Sequence, residues 1–104
     1  MSILRFDHRA RGEIDRELDW YDRRGSGLKE RLISEIEAAI EVIVTRPASC
    51  PIVRRMRAGP VIRKAALGRF PFALIFAIDG QRAVVIAFAH HSRKPLYWKH
   101  RLKP

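Results

Sequence analysis

Two apolar runs, Phe72–Ile78 (FALIFAI) and Ala83–Ala89 (AVVIAFA), are separated only by Asp79-Gly80-Gln81-Arg82. Each reads as a strand. Neither alternates apolar with polar residues, so each must be covered on both faces or lie at the centre of a sheet. Asp79-Gly80 predicts a tight hairpin turn, because glycine accepts the positive φ such turns require. A fold for this chain must therefore place one antiparallel pair in the middle and cover both of its sides.

The remaining elements fall around that pair. Ile3–Phe6 reads as a first strand, followed by Asp7 as a helix N-cap. Ala10, Ile14, Leu18 and Tyr21 mark one face of a first helix, and Arg11, Glu13, Asp15, Arg16, Glu17 and Asp19 read as its solvent face. Gly25-Ser26-Gly27 ends it. Leu28, Leu32, Ile36, Ala39, Ile40 and Ile43 form the stripe of a second helix, which Arg46-Pro47 terminates. Residues 48–60, carrying Arg54, Arg55 and Arg57, read as a loop. Val61–Leu67 reads as another strand. The expected order is β-α-α-β-β-β, an α+β fold with a helical hairpin on one face of a mainly antiparallel sheet. Trp20, Tyr21, Phe70, Phe72, Phe76 and Phe88 are expected in core or hairpin packing.

At 104 residues and 47% hydrophobic content, one domain with a real core is expected. The single Cys50 excludes an internal disulfide, and with no apolar leader after Met1 a cytoplasmic setting is expected. No run is long enough to span a bilayer, so no membrane role is expected. Charge is the stronger constraint. Residues 1–50 carry 9 Lys/Arg and 10 Asp/Glu, whereas residues 51–104 carry 12 Lys/Arg and only Asp79. A net charge of +10 segregated in this way predicts a polyanionic or acidic partner.

The last strand runs into His90-His91-Ser92-Arg93-Lys94-Pro95-Leu96-Tyr97-Trp98-Lys99-His100-Arg101, which sets cations and aromatic rings at a strand end. Such a cluster suits phosphate, stacked bases or an acidic protein. The candidate binding residues are Arg63, Lys64, Arg69, His91, Arg93, Tyr97, Trp98 and Arg101, with the five arginines and lysines expected to converge on one end of the sheet. Tyr97 and Trp98 are also expected to anchor that end with their polar tips outward. His90 or His91 has a near-neutral imidazole suited to general acid–base work. Adjacent residues on a strand point to opposite faces, so His90 and His91 do not share a metal, and no metal or cofactor is expected. No glycine-rich phosphate loop is present. Cys50 and the histidines form no recognisable nucleophilic triad.

Trp20-Tyr21, Arg69-Phe70-Pro71-Phe72 and the spacing His90-x-x-Arg93-x-Pro95-x-Tyr97-Trp98-x-x-Arg101, in this order of elements, resemble the RelE/ParE superfamily of bacterial type II toxins. The resemblance implies a small toxin neutralised by a cognate acidic antitoxin in a toxin–antitoxin hetero-oligomer. RelE-like members cut messenger RNA on the ribosome, and ParE-like members inhibit DNA gyrase. Lys64, Arg93, Tyr97 and His90 are the residues that would serve ribonuclease chemistry. Ala65, Ala66 and Ala73 stand where ribosome-cutting members often carry Lys or Arg. The RFPF and YW features resemble the ParE side, which implies gyrase inhibition, with RelE-like cleavage as the alternative.

Overall fold

The computed structural model describes residues 3–55 and 59–102. Arg57, counted above among the loop cations, lies outside them. The elements are β1 (Ile3–Phe6), α1 (His8–Asp22), α2 (Leu28–Thr45), β2 (Ile52–Arg55), β3 (Val61–Ala66), β4 (Phe72–Asp79) and β5 (Arg82–His90), with short 3-10 turns at Pro47–Ser49 and Lys99–Leu102. The sheet order is β1-β5-β4-β3-β2. β1 runs parallel to β5, and the other pairs are antiparallel. The α+β class and the central β4–β5 hairpin match the sequence reading.

Two details differ from it. Ile52–Arg55 is a fourth antiparallel strand, not loop. It is short, bulged at Val53 and held by main-chain pairing to Val61–Arg63, so no alternation marks it. The hairpin turn is Gly80-Gln81, since Asp79 still pairs with Arg82. Gly80 has φ 63° and Gln81 does not share the positive sign, the pattern of a type II′ turn. A Cβ at Gly80 would meet nothing within 4 Å. Gly80→Val is therefore expected to cost about 1–3 kcal/mol through backbone strain alone. A melting temperature equal to wild type would show that the turn does not need this conformation.

Asp7 caps α1 as expected. Its Oδ1 accepts from the Arg9 backbone N–H at 2.8 Å, and its carboxylate takes two further bonds from the Arg9 guanidinium. The Arg9 side-chain bonds hold the Asp7 carboxyl at about 2, against an ordinary 3.8. A depressed folded pKa contributes stability above the ordinary value and loses it as pH falls through the folded one. Asp7→Ala is expected to cost about 1 kcal/mol at pH 7, mostly as a lost cap because Arg9 is well exposed. The gap from wild type should close between pH 4 and pH 2 in acid titrations of stability. A gap that persisted below that window would contradict the assignment.

The two sides of the sheet are filled differently. Phe72, Leu74, Phe76, Val85 and Phe88 meet Ala10, Ile14, Leu32, Ile36 and Ile43 of the helices. On the open side Ile62, Ala73, Ile75, Ala77, Ile86 and Ala87 are covered by Trp98, with Leu96, Tyr97 and Leu102 beside it. The C-terminal segment thus supplies the second cover that the apolar runs demanded. Alanines at 73, 77 and 87 keep this floor shallow enough for an indole to lie on it.

Candidate functional site

A cleft of about 280 Å³ opens on the side of the sheet away from the helices. Its floor is Ala73, Ile75 and Ala89, and β2 forms one wall with Ile52 and Val53. The segment from His91 to Trp98 forms the other wall. Lys64, Arg93 and Lys94 are exposed at its rim, and both His90 and His91 line it. No carboxylate lines it.

The second wall is shaped by a turn. Tyr97 N–H donates to the Lys94 carbonyl at 3.3 Å across Pro95-Leu96, and Leu96 has φ 62°. Proline followed by a positive-φ residue is a type II turn, normally completed by glycine or asparagine. Leucine here is strained, and its packing into the apolar cluster under Trp98 offsets the strain.

What holds this segment is a buried network centred on Glu13 of α1, a residue the sequence reading placed in solvent. Glu13 is only 5% exposed. Its Oε1 accepts from Arg101 at 2.9 Å and from the Phe88 N–H at 3.0 Å. Its Oε2 accepts from the Tyr97 hydroxyl at 2.7 Å and from Arg101 at 3.2 Å. Arg101 also donates to the Ile86 carbonyl at 3.0 Å. The reason lies in β5. β1 stops pairing with it at Val85, and Ile86 is an extra residue bulged out of the β4 ladder. The Ile86 carbonyl and Phe88 N–H would otherwise be unpaired in the interior, and Arg101 and Glu13 stand in for the missing strand. Burial pushes the Glu13 carboxyl up, but the hydrogen bonds from Arg101, Tyr97 and Phe88 outweigh it, so the group titrates below its usual value.

The predicted contact residues divide accordingly. Lys64, Arg93 and His91 come together at the cleft, with His90 at its edge and the His90 ring turned to Phe72 on the helix side. Arg101 does not present its charge to a partner, because its side chain is only 8% exposed and bound to Glu13. Trp98, 3% exposed, is packed into the open-face cluster. The Tyr97 hydroxyl points inward to Glu13, not outward, and Arg93 covers its ring at 3.8 Å. Burial and then the Glu13 bond raise the Tyr97 phenol well above its ordinary range. Arg63 lies outside the cleft, donating to the Cys50 carbonyl at 2.6 Å. Arg69 lines a separate cavity of about 500 Å³ with Arg31, Glu35 and Phe70. The expected convergence on one end of the sheet is therefore partial. Of the aromatics expected in core or hairpin packing, Trp20 is 44% exposed and packs edge-on to Tyr21 near the end of α1, with Arg24 over its ring at 4.3 Å.

His90 packs edge-on against Phe72, and its Nδ1 accepts the Ser92 N–H at 3.0 Å. The His91 main chain bonds the Pro71 carbonyl. Cys50 is buried, and desolvation raises its thiol pKa, which leaves it a poor nucleophile. Among the described residues no three His, Cys, Asp or Glu side chains form a group that could hold a metal, and no helix is long and apolar enough to cross a membrane.

A family model described as ParE toxin of type II toxin-antitoxin system, parDE, matches residues 4–95. The chain belongs to the ParE toxin family. Among solved structures, a chain described as "Chromosomal ParDE TA system from P. aeruginosa" shares the fold, with a TM-score of 0.70 and 16% identity over 86% of this chain and 96% of that chain. No curated protein matches in sequence. This is thus a ParE-type toxin of a type II toxin–antitoxin system. The family match of this ParE-type toxin ends at Pro95, so Tyr97 and Arg101 of the Glu13 network, and Trp98 of the open-face cluster, lie beyond the matched range.

Proposed function

We propose that this toxin arrests growth by binding and inhibiting DNA gyrase, and that a cognate acidic antitoxin neutralises it by covering the open side of the sheet. The observation that carries the reading is the commitment of Tyr97 and Arg101 to Glu13. Cleavage of RNA by its own 2′-hydroxyl needs a base, an acid and a phosphate clamp acting together. A phenol raised above its ordinary range and bonded to a carboxylate is no base at neutral pH, and Ala73 lies on the cleft floor near Lys64. What remains is a cationic rim over an apolar floor, which suits binding. The ribonuclease alternative draws on one observation, that Lys64, Arg93, His90 and His91 line the same cleft.

Purified toxin is expected to inhibit supercoiling of relaxed plasmid by gyrase, and addition of the antitoxin should restore it. Unimpaired supercoiling at a large excess of toxin would defeat the gyrase reading. The antitoxin complex has its own test. Exposed rim charges steer association, whereas apolar contacts with the floor hold the complex. Raising salt to about 0.5 M, where the Debye length is about 4 Å, should slow association far more than it weakens the final complex. Complete dissolution at that salt would rule out a partner seated on the apolar floor.

A further inference from the structure

The two sides of this molecule differ in charge as sharply as in packing. Ten of its 11 Asp/Glu residues precede residue 51, in the segment that forms β1, α1 and α2. The remaining one, Asp79, sits beside the hairpin turn. The open side carries Lys64, Arg93, Lys94 and His91 at the cleft, and Arg54 joins them because it pairs with Ile62, whose side chain faces that way. Arg93 also borders a second cavity that holds Glu13 and Glu17, but no carboxylate lines the cleft itself, and cations so placed on a rigid sheet attract the phosphate backbone of a nucleic acid.

The aromatic residues decide which kind. Binders of single strands offer exposed ring faces on which unpaired bases stack. Here Trp98 is buried, Tyr97 is covered by Arg93, and no exposed Phe, Tyr or Trp lines the cleft. Trp20, the exposed aromatic, stands on α1 under Arg24. Exposed cations without stacking platforms read a duplex by its backbone.

We propose that the open side of the sheet binds duplex DNA directly, through Lys64, Arg93, Lys94 and Arg54, without reading sequence. The physiological setting rests on the gyrase reading: the toxin would touch the DNA that gyrase holds as well as the enzyme. An antitoxin covering this side would exclude DNA, so the two should compete.

The test is fluorescence anisotropy of the full chain with a mixed-sequence duplex of about 20 base pairs and with single-stranded RNA of the same length, across a salt series. Lys64→Glu and Lys94→Glu alter exposed side chains, and Arg31→Glu on α2 changes net charge equally on the other side. Each open-side variant should weaken duplex binding about tenfold at low salt and flatten the log–log salt slope by about one, while Arg31→Glu should cost under about twofold. Melting temperatures should match wild type in all three.

Equal losses from all three would reduce the effect to bulk charge and overturn the proposal. Tighter binding to single-stranded RNA than to duplex would overturn it in favour of an RNA target. Undetectable duplex binding at low salt would also overturn it. A toxin that binds duplex through this side yet leaves gyrase unaffected would sink the gyrase reading alone. Full gyrase inhibition by Lys64→Glu and Lys94→Glu, with duplex binding unchanged in both, would sink this proposal alone.

Discussion

Replacing Glu13 with alanine is expected to destabilise the protein by about 3–5 kcal/mol, the cost of stranding a buried charge. The change removes the partner of Arg101, which is 8% exposed, and leaves the Phe88 N–H and Tyr97 hydroxyl without their acceptor. Glu13→Gln keeps an acceptor but not the charge and should fall between wild type and alanine. Replacing Glu13 and Arg101 together by leucine and methionine should cost less than Glu13→Ala alone, because no charge then stays buried unpaired. Denaturant unfolding at pH 7 measures all three. The sign with pH follows from the lowered Glu13 pKa. The network contributes fully above the ordinary carboxylate value, and its contribution is lost as pH falls through the lower folded value. A Glu13→Ala protein as stable as wild type would show that the C-terminal segment is held by something else.

Trp98→Ala is expected to cost a similar amount, about 3–5 kcal/mol, as is usual for truncating a fully buried aromatic. The indole covers Ile62, Ile75 and Ile86 on the open side, so its loss uncovers the back of the central strands and frees the wall of the cleft. The consequence separates anchor from contact. A contact residue loses partner binding while the melting temperature is kept, whereas an anchor loses both together. Trp98→Phe retains most of the apolar cover and should restore stability and partner binding in step. Full stability in Trp98→Ala with binding abolished would return Trp98 to the contact surface.

The central hairpin, the two helices and the segregated charge were legible because each is a local pattern. Apolar runs, helical spacing and counts of like charge need no knowledge of where the chain returns. The demand that β4 and β5 be covered on both sides was legible too, but not that residues 96–102 supply the second cover. The burial of Glu13 is not legible locally, because a carboxylate between Ala10 and Ile14 looks like solvent face until its partner is known. That partner, Arg101, lies 88 positions away. The bulge at Ile86, which creates the need for both, is invisible in a run where every residue is apolar. β2 escaped because it is short, half arginine and defined by main-chain pairing. Arg93 and Lys64 could be grouped from the sequence since both sit on or just beyond strands of one sheet. Arg63, one residue from Lys64, does not join them, because the alternation of a strand sends it to the other side.

On the proposed reading this toxin acts by binding, without cutting RNA. The direct measurement sets purified toxin against gyrase supercoiling and against ribosome-bound message in parallel, with Arg93→Ala beside wild type. The wild-type toxin should inhibit supercoiling and leave the message intact. Codon-specific cuts in the message, reduced about 10²–10³-fold by Arg93→Ala in a protein that stays folded, would contradict that reading and establish the ribonuclease.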